Sequence, residues 1–223
     1  MEAIAARTPI SRSRATLTRE SLLDAAEALL ADHGFGAPSH RMIAAAAKTH
    51  VALVNYHFGS KEMLFEAALE RRAGRLSAAW LAALGTVRSR GIWNVGHVLE
   101  AWWLPFRQMD DERDRSWSNY LCVVARLATA AEGEAWHQRN FGAADREFLR
   151  AFAEVLPDTD ADDLDAGFRY ARRLFGELLL HRCGKIGGTC RPRGFREEDI
   201  DRLIGYLASG MRSMSPRLTL AAA

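Results

Sequence analysis

Ser39, Arg41, Asn55, Tyr56, His57 and Lys61 fall within one stretch, residues 39–61, SHRMIAAAAKTHVALVNYHFGSK. Side chains of these types hydrogen-bond to base edges and to phosphates, which is recognition chemistry. The spacing predicts two short helices joined by a tight turn. The first starts at Ser39, a good N-cap, and carries Arg41, Met42, Ile43 and a run of alanines. Ala44, Ala46 and Ala47 are small enough for a second helix to cross closely. That second helix is expected from about His50 to His57, with Val54 and Phe58 inward and Val51, Ala52, Asn55 and Tyr56 nearer the outer face. Helix-turn-helix units lay their second helix in the DNA major groove, so the stretch implies binding to double-stranded DNA.

The elements that must position this pair are helical. Strand signals are almost absent and a periodicity near 3.6 recurs throughout. Leu22, Ala26, Leu29 and His33 mark the inner stripe of a helix that Gly34 ends. Gly59-Ser60 makes the break after the pair, and Ser60 caps a long helix from Lys61 to about Leu84, with Leu64, Ala68, Leu76 and Trp80 inward. Gly85 and Gly91 then interrupt the chain. Further stripes are Val95, Val98, Leu99, Trp102, Phe106 and Met109, with Pro105 kinking or ending that helix; Trp117, Leu121, Val124 and Ala128; and Phe141, Phe148, Phe152 and Val155, stopping before Pro157. Leu164, Phe168, Ala171, Phe175 and Leu178, then Ile200, Leu203, Leu207, Met211 and Met214, stripe the last two helices. KIGGTCRPRG between them reads as a loop. The fold class is all-α, with about nine helices and no sheet.

At 223 residues the chain has room for two small domains or one large helical one. Its net charge of +2 carries no nucleic-acid signal; the basic bias is local. Arg7, Arg12, Arg14 and Arg19 stand against Glu2 in the first residues, which reads as a disordered arm over 1–16 able to touch phosphates, or as a solvated tail. Cys122, Cys183 and Cys190 give no disulfide framework and no paired metal spacing, and they fit a reducing cytoplasm. No apolar run approaches the roughly 18 residues of a membrane span, and no signal-peptide pattern is seen, so a cytoplasmic location with no membrane partner is expected. Catalysis needs a converging set of groups. GKIGGT does not have the spacing of a phosphate-binding loop, and Asp158, Asp160, Asp162 and Asp163 suit a helix N-terminus. No catalytic residue, metal or cofactor is expected.

Three segments carry a family resemblance: LLDAAEALLADHGF (22–35), RMIAAAA (41–47) and NYHFGSKEMLFEAAL (55–69). Thr18 to Leu69 resembles, without gaps, the DNA-binding domain of the TetR family of bacterial repressors. The resemblance implies a helix-turn-helix domain over 17–63, a ligand-binding and dimerisation domain over 64–215, and a tail over 216–223. It places Arg41 where family members reach a base edge, and Val51, Ala52 and Leu53 at the start of the recognition helix. Asn55 would meet an adenine edge, although tyrosine is frequent at that position. Tyr56, His57 and Lys61 match phosphate-touching positions; Ser39 and its helix start would hold another phosphate, and His50 is either a contact or solvated. Lys48-Thr49 departs from the family's glycine followed by a small residue. A left-handed lysine costs about 1 kcal/mol, and this departure alone favours an alternative reading as a helical adaptor that no longer binds DNA.

Such a regulator works as a homodimer on an operator palindrome, with the last two helices packing against their symmetry mates. Phe168, Phe175, Leu178, Leu203, Leu207 and Met211 are the interface candidates. The family's ligand cavity maps to an aromatic-rich region, Trp80, Trp102, Trp103, Phe106, Trp117, Tyr120, Phe148 and Phe152, which favours an apolar or amphipathic small molecule. His97, His137 and His181 are candidates to orient its polar end. HFGSKEMLFEAALERR, AAEGEAWHQRNFG and FAEVLP loosely resemble the branch of fatty-acid-responsive regulators, which implies a fatty acid or acyl-CoA effector. Activation in place of repression stays open.

Overall fold

The computed structural model describes residues 9–109, 115–130, 133–182, 185–186, 189–190 and 196–214. Among them are nine helices: α1 Pro9–His33, α2 His40–Ala46, α3 Val51–Phe58, α4 Lys61–Ser89, α5 Val95–Met109, α6 Arg115–Thr129, α7 Gly133–Val155, α8 Ala161–Arg182 and α9 Glu197–Ser213. Between α8 and α9 lies one antiparallel pairing, β1 Lys185–Ile186 with β2 Thr189–Cys190. The all-α class holds, with this short pairing where only a loop was expected.

The chain divides into two compact units, Met1–Arg72 and Ala73–Ala223, so the division falls inside α4. In the first unit Leu22, Leu23, Ala26, Leu30, Ile43, Val54, Leu64 and Ala68 are fully buried. The buried stripe of α1 therefore runs through Leu23 and Leu30; Leu29 is only half-buried and His33 is exposed. Residues 9–16, expected in the arm, open α1, while residues 1–8 lie outside the described ones. Gly34 ends α1 with φ 72°, as a left-handed C′ residue does.

In the second unit α6 packs on α8 and α5 on α9. Their core is a continuous aromatic cluster. Trp80 stacks on Trp102 with ring centroids 5.3 Å apart, meets Phe141 edge-on at 4.9 Å, and donates its indole N–H to the Trp102 carbonyl at 2.8 Å. Phe168 stacks on Phe148 at 5.7 Å and Trp103 on Phe175 at 5.1 Å. Burial overrides the break expected at Gly85, and Pro105, expected to kink or end its helix, does not end it. Gly85 lies within α4, where the buried flanking residues Leu84 and Val87 outweigh the roughly 1 kcal/mol that glycine costs a helix. Pro105 lies within α5, whose buried Trp102, Trp103 and Phe106 carry the helix on to Met109. Cys122 is 1% exposed and disulfide-bonded, which corrects the expectation of three free thiols; its partner sulfur is outside the described side chains.

Candidate nucleic-acid interface

The helix-turn-helix forms from its own backbone chemistry. Ser39 Oγ accepts the Met42 N–H at 3.2 Å and caps α2. At the other end of α2, Thr49 N–H donates to the Ala44 carbonyl at 2.9 Å and Lys48 N–H to that of Ala45 at 3.1 Å. Those two bonds are a Schellman closure, which requires a left-handed residue at its centre. Lys48 takes that conformation, φ 52°, alone among the described non-glycine residues. The lysine thus accepts the strain and the turn closes in left-handed geometry. After α3, Gly59 at φ 78° reverses the chain and Ser60 Oγ accepts the Met63 N–H at 3.2 Å, capping α4.

These caps orient α3. Val54 and Phe58 are buried against the domain, whereas His50, Val51, Ala52, Asn55 and Tyr56 are exposed, Tyr56 to 70%. Leu53 and His57 are half-buried. Ser39 and Arg41 are exposed at the start of α2. Lys61 lies over the Phe65 ring, its Nζ 5.7 Å from the centroid and 4.0 Å from Glu62, with its side chain 22% exposed. The Glu62 backbone N–H and the Ser60 hydroxyl hold the Glu62 carboxyl below its ordinary pKa, so a full negative charge stands beside Lys61. The expected DNA-facing residues therefore lie together on α2, α3 and the first turn of α4.

Between α1 and α4 lies a polar clamp that the sequence pattern did not show. Glu27 is 1% exposed on α1 and accepts from Arg71 at 2.6 Å and from Arg72 Nε at 3.1 Å. Arg71 also donates to Glu20 at 2.9 Å and Asp24 at 2.8 Å. Burial raises the Glu27 pKa, and the two guanidinium groups offset this only in part.

In the second unit the structure sorts the remaining candidates. Trp80, Trp102, Trp103, Phe106, Trp117, Tyr120, Phe148 and Phe152 are all buried and pack as core; none lines the groove between α8 and α9 or the small cavity at the start of α7. Of the interface candidates, Phe168 and Phe175 are buried within the same aromatic core, and Leu178 and Leu203 are half-buried. Leu207 and Met211 line the α8–α9 groove, about 700 Å³ in volume, with Tyr170, Leu174, Tyr206 and Met214. His97 exchanges hydrogen bonds with Asn94 at 3.2 Å and serves the start of α5. His181 is exposed, and His137 is buried against Asp145 at 2.8 Å. No group of metal-ligating side chains occurs among the described residues, and no described helix is long and apolar enough to cross a membrane.

Residues 22–68 match the family model described as bacterial regulatory proteins, tetR family, and residues 100–210 match the tetracyclin repressor-like C-terminal domain. The chain belongs to the TetR family. Solved structures agree on the fold. A TetR family transcription regulator from Marinobacter aquaeolei VT8 is 18% identical with a TM-score of 0.55, over 89% of this chain and 97% of that one. A putative transcriptional regulator from Pseudomonas aeruginosa PAO1 is 20% identical at 0.55, over 91% and 92%. The fatty acid degradation regulator FadR from Bacillus halodurans is 14% identical at 0.51, over 98% and 100%. None of the curated proteins matches the sequence. The solved structures it resembles are described as transcription regulators.

Proposed function

We propose that this TetR-family protein is a ligand-responsive repressor that binds an operator palindrome as a homodimer and is released by an apolar or amphipathic small molecule. The observation that carries the reading is the outer face of α3. Val51, Ala52, Asn55 and Tyr56 are exposed together, while Val54 and Phe58 anchor the helix from behind and Lys61 follows the Gly59-Ser60 break. Apolar Val51 and Ala52 suit thymine methyl groups, and Arg41 suits the O6 and N7 of a guanine. The work is cytoplasmic, where thiols are kept reduced, so the Cys122 disulfide is expected to open there.

The dimer is supported by the α8–α9 groove, whose Tyr170, Leu174 and Tyr206 are exposed. The effector is supported by the aromatic core, where the buried Trp102 indole N–H has no acceptor. A ligand entering between these rings with a carbonyl or ether oxygen would satisfy it. The structural neighbour from Bacillus halodurans is a regulator of fatty acid degradation, which makes fatty acids and their coenzyme A esters the first compounds to try.

Two substitutions test the DNA reading. Lys61→Ala is expected to weaken binding across sequences and to reduce the salt slope by about 1. Arg41→Ala is expected to relax preference at one operator position, losing about 1–3 kcal/mol of discrimination there. Binding titrations at several salt concentrations read both; an unchanged slope for Lys61→Ala removes its phosphate role.

A further inference from the structure

Where the end of α6, the start of α7 and the middle of α8 meet, a cavity of about 10 Å³ is lined by Leu127, Ala128, Gly133, Glu134, His137, Arg169, Arg172 and Arg173. Three arginines and one glutamate thus line it. Arg172 is the deepest, its side chain only 7% exposed. Its Nη2 donates to Glu134 at 3.2 Å and its Nη1 lies 3.4 Å from Asp145, but its Nε has no partner. An unsatisfied buried N–H on a charged group is costly, and the geometry calls for an acceptor.

The surroundings say which acceptor. Asp145 lines no part of the cavity; its Oδ2 lies 3.4 Å from Arg172 Nη1 and 2.8 Å from His137 Nε2, and its Oδ1 has no partner either. Arg169 is held by Asp165 at 2.7 Å, using one edge of its planar fork. Arg173 is exposed and makes no ion pair among the described residues. The cavity also abuts the first turn of α7, a helix of 23 residues, where backbone N–H groups and the helix dipole favour negative charge. Among the described residues, Glu134 is the carboxylate that lines the cavity. Glu134 is 43% exposed, so it can turn out to solvent. Burial works against its charge, but Gln138, Arg172 and His137 outweigh this and keep its pKa below the usual range.

We propose that this cavity is an oxyanion site in which the Glu134 carboxylate stands in for the carboxylate or phosphate head of an acidic effector, held by Arg169, Arg172 and Arg173 at the start of α7. The anion displaces Glu134 and satisfies Arg172 Nε. Arg173 also lines the α8–α9 groove, so occupancy of the site touches the face on which the second copy is expected. That regulatory consequence rests on the repressor reading; the anion chemistry does not.

The test is thermal unfolding of the full chain at constant ionic strength, with inorganic phosphate and, separately, butyrate. The variants are Glu134→Gln and Arg169→Gln, both at partly exposed positions. The wild type is expected to show a saturable rise in Tm. Glu134→Gln, freed of the internal competitor, is expected to saturate at about tenfold lower anion concentration, and Arg169→Gln at about tenfold higher. A response to phosphate alone or butyrate alone supports the site and identifies the head group it takes. A rise that never saturates and is the same in all three proteins overturns the proposal, because excluded anions stabilise any fold in that way. Failure of Glu134→Gln to tighten binding overturns it as well. Operator binding by the same samples separates the readings: DNA binding without an anion response sinks the site alone, and an anion response without DNA binding sinks the repressor alone.

Discussion

Single residues here carry strain and charge that pattern reading handles unevenly. Lys48 was visible as a departure from glycine, because the turn itself was legible, and it sits at φ 52°. Lys48→Gly is expected to stabilise the domain by about 0.5–1 kcal/mol, the relieved left-handed strain less the extra backbone freedom of glycine in the unfolded chain. Urea unfolding measures it, and no gain would mean that the lysine side chain makes up the difference. Glu27 shows the opposite case. An acid inside an apolar stripe reads as a solvated helix position, and nothing local reveals that Arg71 and Arg72, 44 and 45 positions away, close over it. Because burial already raises its pKa, its charge is held at a cost. Glu27→Gln, which keeps the shape, is expected to lose about 1 kcal/mol, and Glu27→Ala about 3 kcal/mol, since the latter leaves two guanidinium groups facing a void. Equal losses in urea unfolding would show that the charge, not the shape, holds the clamp.

At the scale of elements, the helices were legible because apolar side chains recur with the helical period, and the caps were legible because Ser39 and Ser60 each accept from a backbone N–H only three residues on. One boundary was misjudged. Gly85 is a local helix breaker, yet it lies where burial of Leu84 and Val87 supplies more than glycine costs; Pro105, expected to kink or end its helix, does not end it, with Trp102, Trp103 and Phe106 buried around it. The same burial explains the aromatic residues expected to line a ligand cavity, which close on one another as core. Gly133 is the converse, a residue fixed by a neighbour far less obvious in sequence. A Cβ there would stand 1.8 Å from the Leu127 carbonyl oxygen, so the start of α7 can approach the end of α6 only as glycine. Gly133→Ala is expected to cost about 2–3 kcal/mol by forcing the two helices apart. Thermal unfolding checks this, and an unchanged Tm would mean that the α6–α7 connection gives way freely.

For the whole molecule, the division of labour follows from what one copy lacks. A chain with one recognition helix reads one half-site, and half-sites lie about 34 Å or a multiple of it apart, so a palindrome is read only by two copies at fixed separation. The sequence offered α8 and α9 for joining them; of the residues it named there, Leu207 and Met211 line the groove between these helices, and Phe168 and Phe175 do not. Phe168 and Phe175 belong to the apolar stripe of α8, which looks in need of a partner, and the chain's own core takes them. What is left outward is flatter and mixed: Tyr170, Leu174 and Tyr206 beside Leu207 and Met211. Leu174→Glu sets an unpaired charge in that groove while leaving the core untouched, so the helical signal is expected to persist as sedimentation shifts to the monomer. Operator affinity is then expected to fall by about 100-fold or more, because the second half-site no longer benefits from the effective concentration the dimer provides. The two readouts must move together. A monomer that still bound the full palindrome at wild-type affinity would mean that DNA, not the groove, brings the copies together; an intact dimer would place the interface on another face of the second unit.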